Sequence, residues 1–168
     1  MERTEAARAR GEELSRAGRL FFERGWVPAT AGNFSARLDE RHVLITASGR
    51  AKGELGPEDF LVVNQENEVW PAGGLPPGGR PSAETALHLR RYQSGPHVGA
   101  VLHTHSLAAT VLSRLSPAGV VLEGYEVLKA LPGVGSHTAR LEVPVFGDRK
   151  STRLNSSHSG EARMPSSA

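Results

Sequence analysis

His103 and His105, one residue apart, are where residue type and spacing most directly suggest chemistry. On an extended strand, residues i and i+2 share a face, so both imidazoles can reach one ion while Thr104 points away. Neutral imidazole suits zinc and other late divalent metals. Two histidines on a polar strand face would look the same, so the pair alone leaves both readings open. Glu84 falls in the first turn of a predicted helix. There it either steadies the positive helix end or is aimed at the histidines as acid, base or ligand. Glu126, in Gly124-Tyr125-Glu126 with Glu123 close by, reads on its own as an exposed helix residue. Three small polar turns, Gly32-Asn33, Ser48-Gly49 and Pro81-Ser82, have the backbone freedom, hydroxyls and N–H donors of a phosphate cradle. They also have the composition of ordinary turns. None matches the P-loop or the dinucleotide-binding fingerprint.

The elements that must position these residues follow from periodicity. An apolar stripe of Leu14, Ala17, Phe21, Leu20 and Phe22 predicts a helix over residues 4–24, stopped by Gly25. Phe34, Ala36 and Leu38 alternate with polar neighbours as in a half-buried strand. After a turn at Asp39-Glu40, residues 42–46 form its hairpin partner. Residues 60–64 and 68–70 predict a second hairpin around Asn67. The stretch PAGGLPPGGRP (71–81) predicts a surface loop. Ser82 is placed to cap a helix running to about Gln93, ended by Gly95-Pro96. Then come a short apolar strand (98–104), a helix (106–115), a strand (120–122), a helix near 125–131 and a strand (141–146). Hairpins first and helix–strand alternation later predict an α/β fold with a mostly antiparallel sheet covered by helices. No internal repeat is visible.

Composition narrows the classes. The 168 residues carry 20 basic and 18 acidic side chains, a net charge of +2, and the first helix mixes both signs. A nucleic-acid groove would want one sign clustered, so no nucleic-acid partner is expected. There is no cysteine, which excludes disulfide and thiolate chemistry. No apolar run approaches the roughly 18 residues of a membrane span, and the start lacks a signal peptide's apolar stretch. A cytoplasmic location without membrane contact is the default.

TAGNFSARL, ITASGRAKG, RPSAET and AVLHTHS, in that order, resemble the class II aldolase/adducin superfamily. Three stretches, SGRAKGELGPEDFLVV, VLHTHSLAATVLSRL and GYEVLKALPGVGSHTARLEVPVFG, resemble its sugar-phosphate dehydratases in particular. The likeness spans roughly residues 5–149. It implies a three-layer α/β/α domain with a central, mostly antiparallel sheet, assembled as a homotetramer. The implied activity is a zinc-dependent lyase acting on a phosphorylated sugar, 5-methylthioribulose 1-phosphate. His103 and His105 match two of the family's three zinc histidines. Glu126 matches the dehydratases' general acid/base, and Glu84 matches the catalytic carboxylate of the aldolases. Gly32, Asn33, Ser48, Gly49 and Ser82 match the phosphate-cradle turns. The alternatives are a fuculose- or ribulose-phosphate type aldolase, a non-catalytic adducin-like interaction domain, and an inactive fragment.

The likeness stops short at the C-terminus. The third zinc histidine of the family follows the VPVF strand in a segment absent here, and neither His137 nor His158 matches it. Residues 151–168 have six serines and no apolar periodicity. They resemble translated cloning or sequencing-adaptor DNA, with the natural chain cut near Arg149. The expected organisation is one truncated domain over residues 1–150 and a non-native, disordered tail over 151–168.

Overall fold

The computed structural model describes residues 2–70 and 79–146. The expected tail (151–168) and most of the expected surface loop (71–78) lie outside the described residues. The chain divides into two compact units, one reaching His105 and one starting at Ser106.

In the first unit, helix α1 (Glu2–Glu23) precedes strands β1 (Asn33–Arg37), β2 (His42–Thr46) and β3 (Phe60–Asn64). Helix α2 (Thr85–Gln93) and strand β4 (Ala100–His103) complete it. The strands form one antiparallel sheet in the order β3-β2-β1-β4. The two predicted hairpins differ in extent. β1 and β2 pair over three positions, centred on Ala36 and Leu44. Around Asn67, whose φ is +64°, only the single bridge Val63–Val69 forms beside β3.

Strands β1, β2 and β3 are buried on both faces, whereas β4 alternates exposed and half-buried positions. Phe34, Ala36, Leu44, Phe60 and Val62 pack with Ala7 and Leu14 of α1. Val43, Ile45, Leu61 and Val63 pack with Leu89 and Tyr92 of α2. Period-2 alternation sends each set to its own face, giving a helix on either side of the sheet.

Three expectations need correction. The polar residues between Phe34 and Leu38 do not face water: Ser35 is 0% exposed, because α2 covers that face and supplies partners for its hydroxyl. The buried stripe of α1 is Ala7, Gly11, Leu14 and Gly18, while Leu20 and Phe22 stand exposed. Ser82 does not cap α2. The helix starts at Thr85, with Glu84 in the cap position and making no side-chain cap bond. Ser82 instead heads the preceding turn, its carbonyl accepting from the Thr85 N–H and hydroxyl.

The second unit holds helix α3 (Leu107–Leu115), whose N-terminus is capped by the Ser106 Oγ accepting from the Ala109 N–H at 3.2 Å. Strands β5 (Val120–Leu122) and β6 (Leu141–Val143) pair antiparallel. The predicted helix near 125–131 is a 3-10 turn, Glu126–Ala130. Among the described residues no helix is long and apolar enough to cross a membrane.

Candidate active site

Register brings the first site residues together. Asn33 opens β1 and lies opposite His103, the last residue of β4. Gly32, one residue earlier, has φ +78°, and a Cβ there would sit 2.5 Å from the His103 carbonyl oxygen. Only glycine permits so close an approach of the two backbones. The strand ends at His103, earlier than expected, yet the two imidazoles still meet, with ring centroids 4.6 Å apart and planes tilted by 39°. The His105 N–H donates to the Trp26 carbonyl at 2.7 Å, fixing the turn that follows the strand.

The late start of α2 frees Glu84 from the helix. Its Oε2 lies 2.7 Å from His103 Nδ1 and also accepts from Asn33 Nδ2. Asn33 Nδ2 reaches the Ser82 Oγ at 3.0 Å as well. A carboxylate oxygen accepts, so His103 turns its Nδ1–H to Glu84 and leaves its Nε2 for another partner.

Asn33, Ser82 and Glu84 border a cavity of about 470 Å³, and the two imidazoles are not among its lining residues. All five residues expected in a phosphate cradle line it, Gly32, Asn33, Ser48, Gly49 and Ser82, together with Glu84. The loops are tied side by side: the Ser48 N–H donates to the Arg80 carbonyl, and Ala47 bridges Pro81. Gly49 has φ +78°, the left-handed conformation that turns the backbone around the cavity wall.

Two residues escaped the sequence reading. Lys52 lines the same cavity although it is only 1% exposed. Its Nζ donates to the Thr30 carbonyl at 2.8 Å and to the Arg50 carbonyl at 2.5 Å. Burial holds its ammonium below the usual lysine range, with the Asp59 charge pulling the other way. His88 is 3% exposed behind Asn33. Burial pushes its imidazolium down to about 4, with a lesser push from His103 and an opposing pull from Glu84. The one available signal was helical spacing: Leu89 and Tyr92, one and four residues after His88, lie on the face that meets the sheet. Lys52, a lone cation among small residues, offered none.

Glu126 belongs to the second unit. Its carboxylate is exposed and pairs with Lys129 Nζ at 2.5 Å and His137 Nδ1 at 3.5 Å. Glu123 pairs instead with Arg140, at 3.5 Å. Among the described residues, no three metal-ligating side chains gather in one place.

Residues 12–164 match the family described as Class II Aldolase and Adducin N-terminal domain. A methylthioribulose-1-phosphate dehydratase of Methylococcus capsulatus is 53% identical over 137 residues, 82% of this chain and 64% of that protein. Another from Pseudomonas savastanoi pv. phaseolicola is 49% identical over 144 residues, covering 84% and 68%. The chain thus spans about two thirds of the length of these curated relatives. Among solved structures, L-fuculose-1-phosphate aldolase from Thermus thermophilus matches with a TM-score of 0.55 at 31% identity, over 71% of this chain and 56% of that one.

Proposed function

The chain belongs to the class II aldolase and adducin N-terminal domain family, and from that premise we propose that its protein dehydrates 5-methylthioribulose 1-phosphate. The observation that carries this is the Asn33–Glu84–His103 cluster at the border of a polar cavity, in a chain 53% identical to a named dehydratase. A phosphorylated sugar fits the enzymes of this family, and the family generally works with a divalent metal.

Zinc is the ion of this reading. Two adjacent imidazoles, one with its Nδ1 held by a carboxylate, are donor chemistry that such an ion takes. Catalytic zinc ordinarily has three protein ligands, so His103 and His105 would need a third donor from outside the described residues. When bound, the ion supplies Lewis-acid stabilisation of negative charge developing on a substrate oxygen.

The chain's own residues do the rest. Ser48, Ser82 and the turns at Gly32 and Gly49 hold the phosphate by hydroxyl and backbone donors, and Lys52 adds positive charge to the same wall. Glu126 removes the proton at C3 and returns one to the departing C4 hydroxyl, which leaves as water. The resulting enol becomes the 2,3-diketo phosphate. Glu84 orients His103 and Asn33 on the substrate side. The same reading carries a cytoplasmic homotetramer.

A second reading is favoured by one observation. Glu84, the carboxylate bonded to His103, matches the acid/base of the sugar-phosphate aldolases, so C–C cleavage through Glu84 is the alternative. Incubation of the zinc-loaded protein with 5-methylthioribulose 1-phosphate, followed by mass spectrometry, tests both. One product lighter by a single water is expected. Two carbon fragments would transfer the proposal to the aldolase, and an unchanged substrate would sink both in favour of a binding domain.

A further inference from the structure

Behind the cavity runs a buried line of polar side chains whose donor directions can all be deduced. Ser35, Asn33, His88 and Tyr92 are each at most 4% exposed. The Glu84 carboxylate only accepts, so the Asn33 atom facing it must be Nδ2, as must the atom facing the Ser82 hydroxyl at 3.0 Å. Asn33 Oδ1 then faces His88 Nε2, 2.5 Å away. A carbonyl oxygen only accepts, so Nε2 carries the hydrogen. A neutral ring with its hydrogen on Nε2 has a lone pair on Nδ1, which therefore accepts from the Ser35 hydroxyl at 2.7 Å. With its hydrogen spent, the Ser35 oxygen accepts from the Tyr92 hydroxyl at 2.9 Å. No link can be reversed alone without setting two acceptors or two donors against each other.

We infer that His88 is a positioning residue: its Nε2–H locks the Asn33 carboxamide so that Nδ2 gives its two hydrogens to Ser82 and Glu84, leaving the Ser82 hydroxyl hydrogen to donate to the bound anion. The inference rests on the cradle assigned to Asn33 and Ser82 above, and it adds a determinant of anion affinity that never touches the ligand. Without His88, Asn33 Oδ1 would be buried without a donor. The carboxamide would then be free to turn that oxygen toward the Glu84 carboxylate, which it repels, and toward the Ser82 hydroxyl, whose hydrogen it would draw away from the phosphate.

The test compares His88→Gln with His88→Leu. The Gln Nε2 can stand near the imidazole Nε2 and restore a donor to Asn33, whereas Leu fills the space with none. Long-range 15N NMR of histidine-labelled protein should show His88 as the neutral Nε2–H tautomer at neutral pH. The Asn33 side-chain amide protons should exchange slowly in the wild type and His88→Gln. In His88→Leu they should exchange fast. Titration with inorganic phosphate should weaken by about tenfold or more in His88→Leu and recover most of that in His88→Gln. In an Asn33→Ala background the two substitutions should become equal. An Nδ1–H tautomer or an imidazolium at neutral pH would overturn the inference, as would a His88→Leu protein with unchanged Asn33 amide signals and phosphate affinity. If His88→Leu fails to fold, the tautomer and the His88→Gln amide signals still decide. None of these readouts depends on which reaction follows binding, so a failed dehydratase assay leaves the result intact.

Discussion

Single side chains divide into those that hold and those that transfer protons. His103→Ala and His105→Ala should each weaken zinc binding by at least about a hundredfold in calorimetric titration, because each removes a whole ligand from a small set. Glu126→Gln should keep the metal and the fold but lower turnover by roughly 10²–10⁴. If Glu84→Gln abolishes turnover while Glu126→Gln is near normal, Glu84 is the proton carrier. His88 gives a second prediction at this scale. Its folded-state value of about 4 lies below the ordinary 6.5 of the unfolded chain. Between those values the unfolded chain binds a proton that the folded chain refuses. Stability is therefore fully present above pH 6.5 and falls as pH drops toward 4, by on the order of 3 kcal/mol. Urea melts across that window should show a flatter dependence in His88→Gln. An equal slope in both proteins would trace the acid sensitivity to another group.

Among the elements, α1 carries the sharpest contrast. Gly11 and Gly18 both lie on its buried stripe, but a Cβ at Gly11 would meet Phe60 at 3.6 Å, an ordinary contact. At Gly18 it would sit 2.1 Å from the Lys52 carbonyl oxygen, which cannot give way as a flexible side chain can. Gly11→Ala should stabilise by up to about 1 kcal/mol through helix propensity. Gly18→Ala should cost about 1–3 kcal/mol through overpacking, outweighing the same gain; chemical denaturation of the two variants measures the difference. This contrast shows why the α1 stripe was misread. Apolar pattern finds large side chains such as Leu14, but it also counts Phe22, which is exposed, and passes over glycines that set how closely the helix lies. The β1–β2 hairpin, α3 and the adjacent imidazoles were legible because hydrophobic period and strand alternation are local, whereas the Ser106 cap of α3 emerged only with the structure. The start of α2 was not. Ser82 has the right chemistry for a cap, but its hydroxyl accepts from the Glu84 N–H, within the turn ahead of the helix, and from Asn33 of a distant strand. His88 and Ser35 were unreadable for the same reason, since each polar group makes sense only with a partner more than fifty residues away.

For the whole protein, ligands that bind only the folded state raise its stability by mass action. Inorganic phosphate at about 100 times its dissociation constant should add about 2.7 kcal/mol, visible as a rise of several degrees in the thermal midpoint. Ser82→Ala should shrink that rise at the same phosphate concentration. Equal shifts in the two proteins would mean that phosphate is held elsewhere than between Ser48 and Ser82.

The break between the two units falls between His105 and Ser106, directly after the second imidazole. Everything assigned to gripping an anion is encoded before that join, and the exposed Glu126 comes after it. For a protein engineer this is a natural crossover point. Libraries that recombine sequences at Ser106 would inherit one recognition half intact while sampling different proton carriers in the other. Selection on such chimeras would then ask which bond is broken, without first having to rebuild the grip on the phosphate.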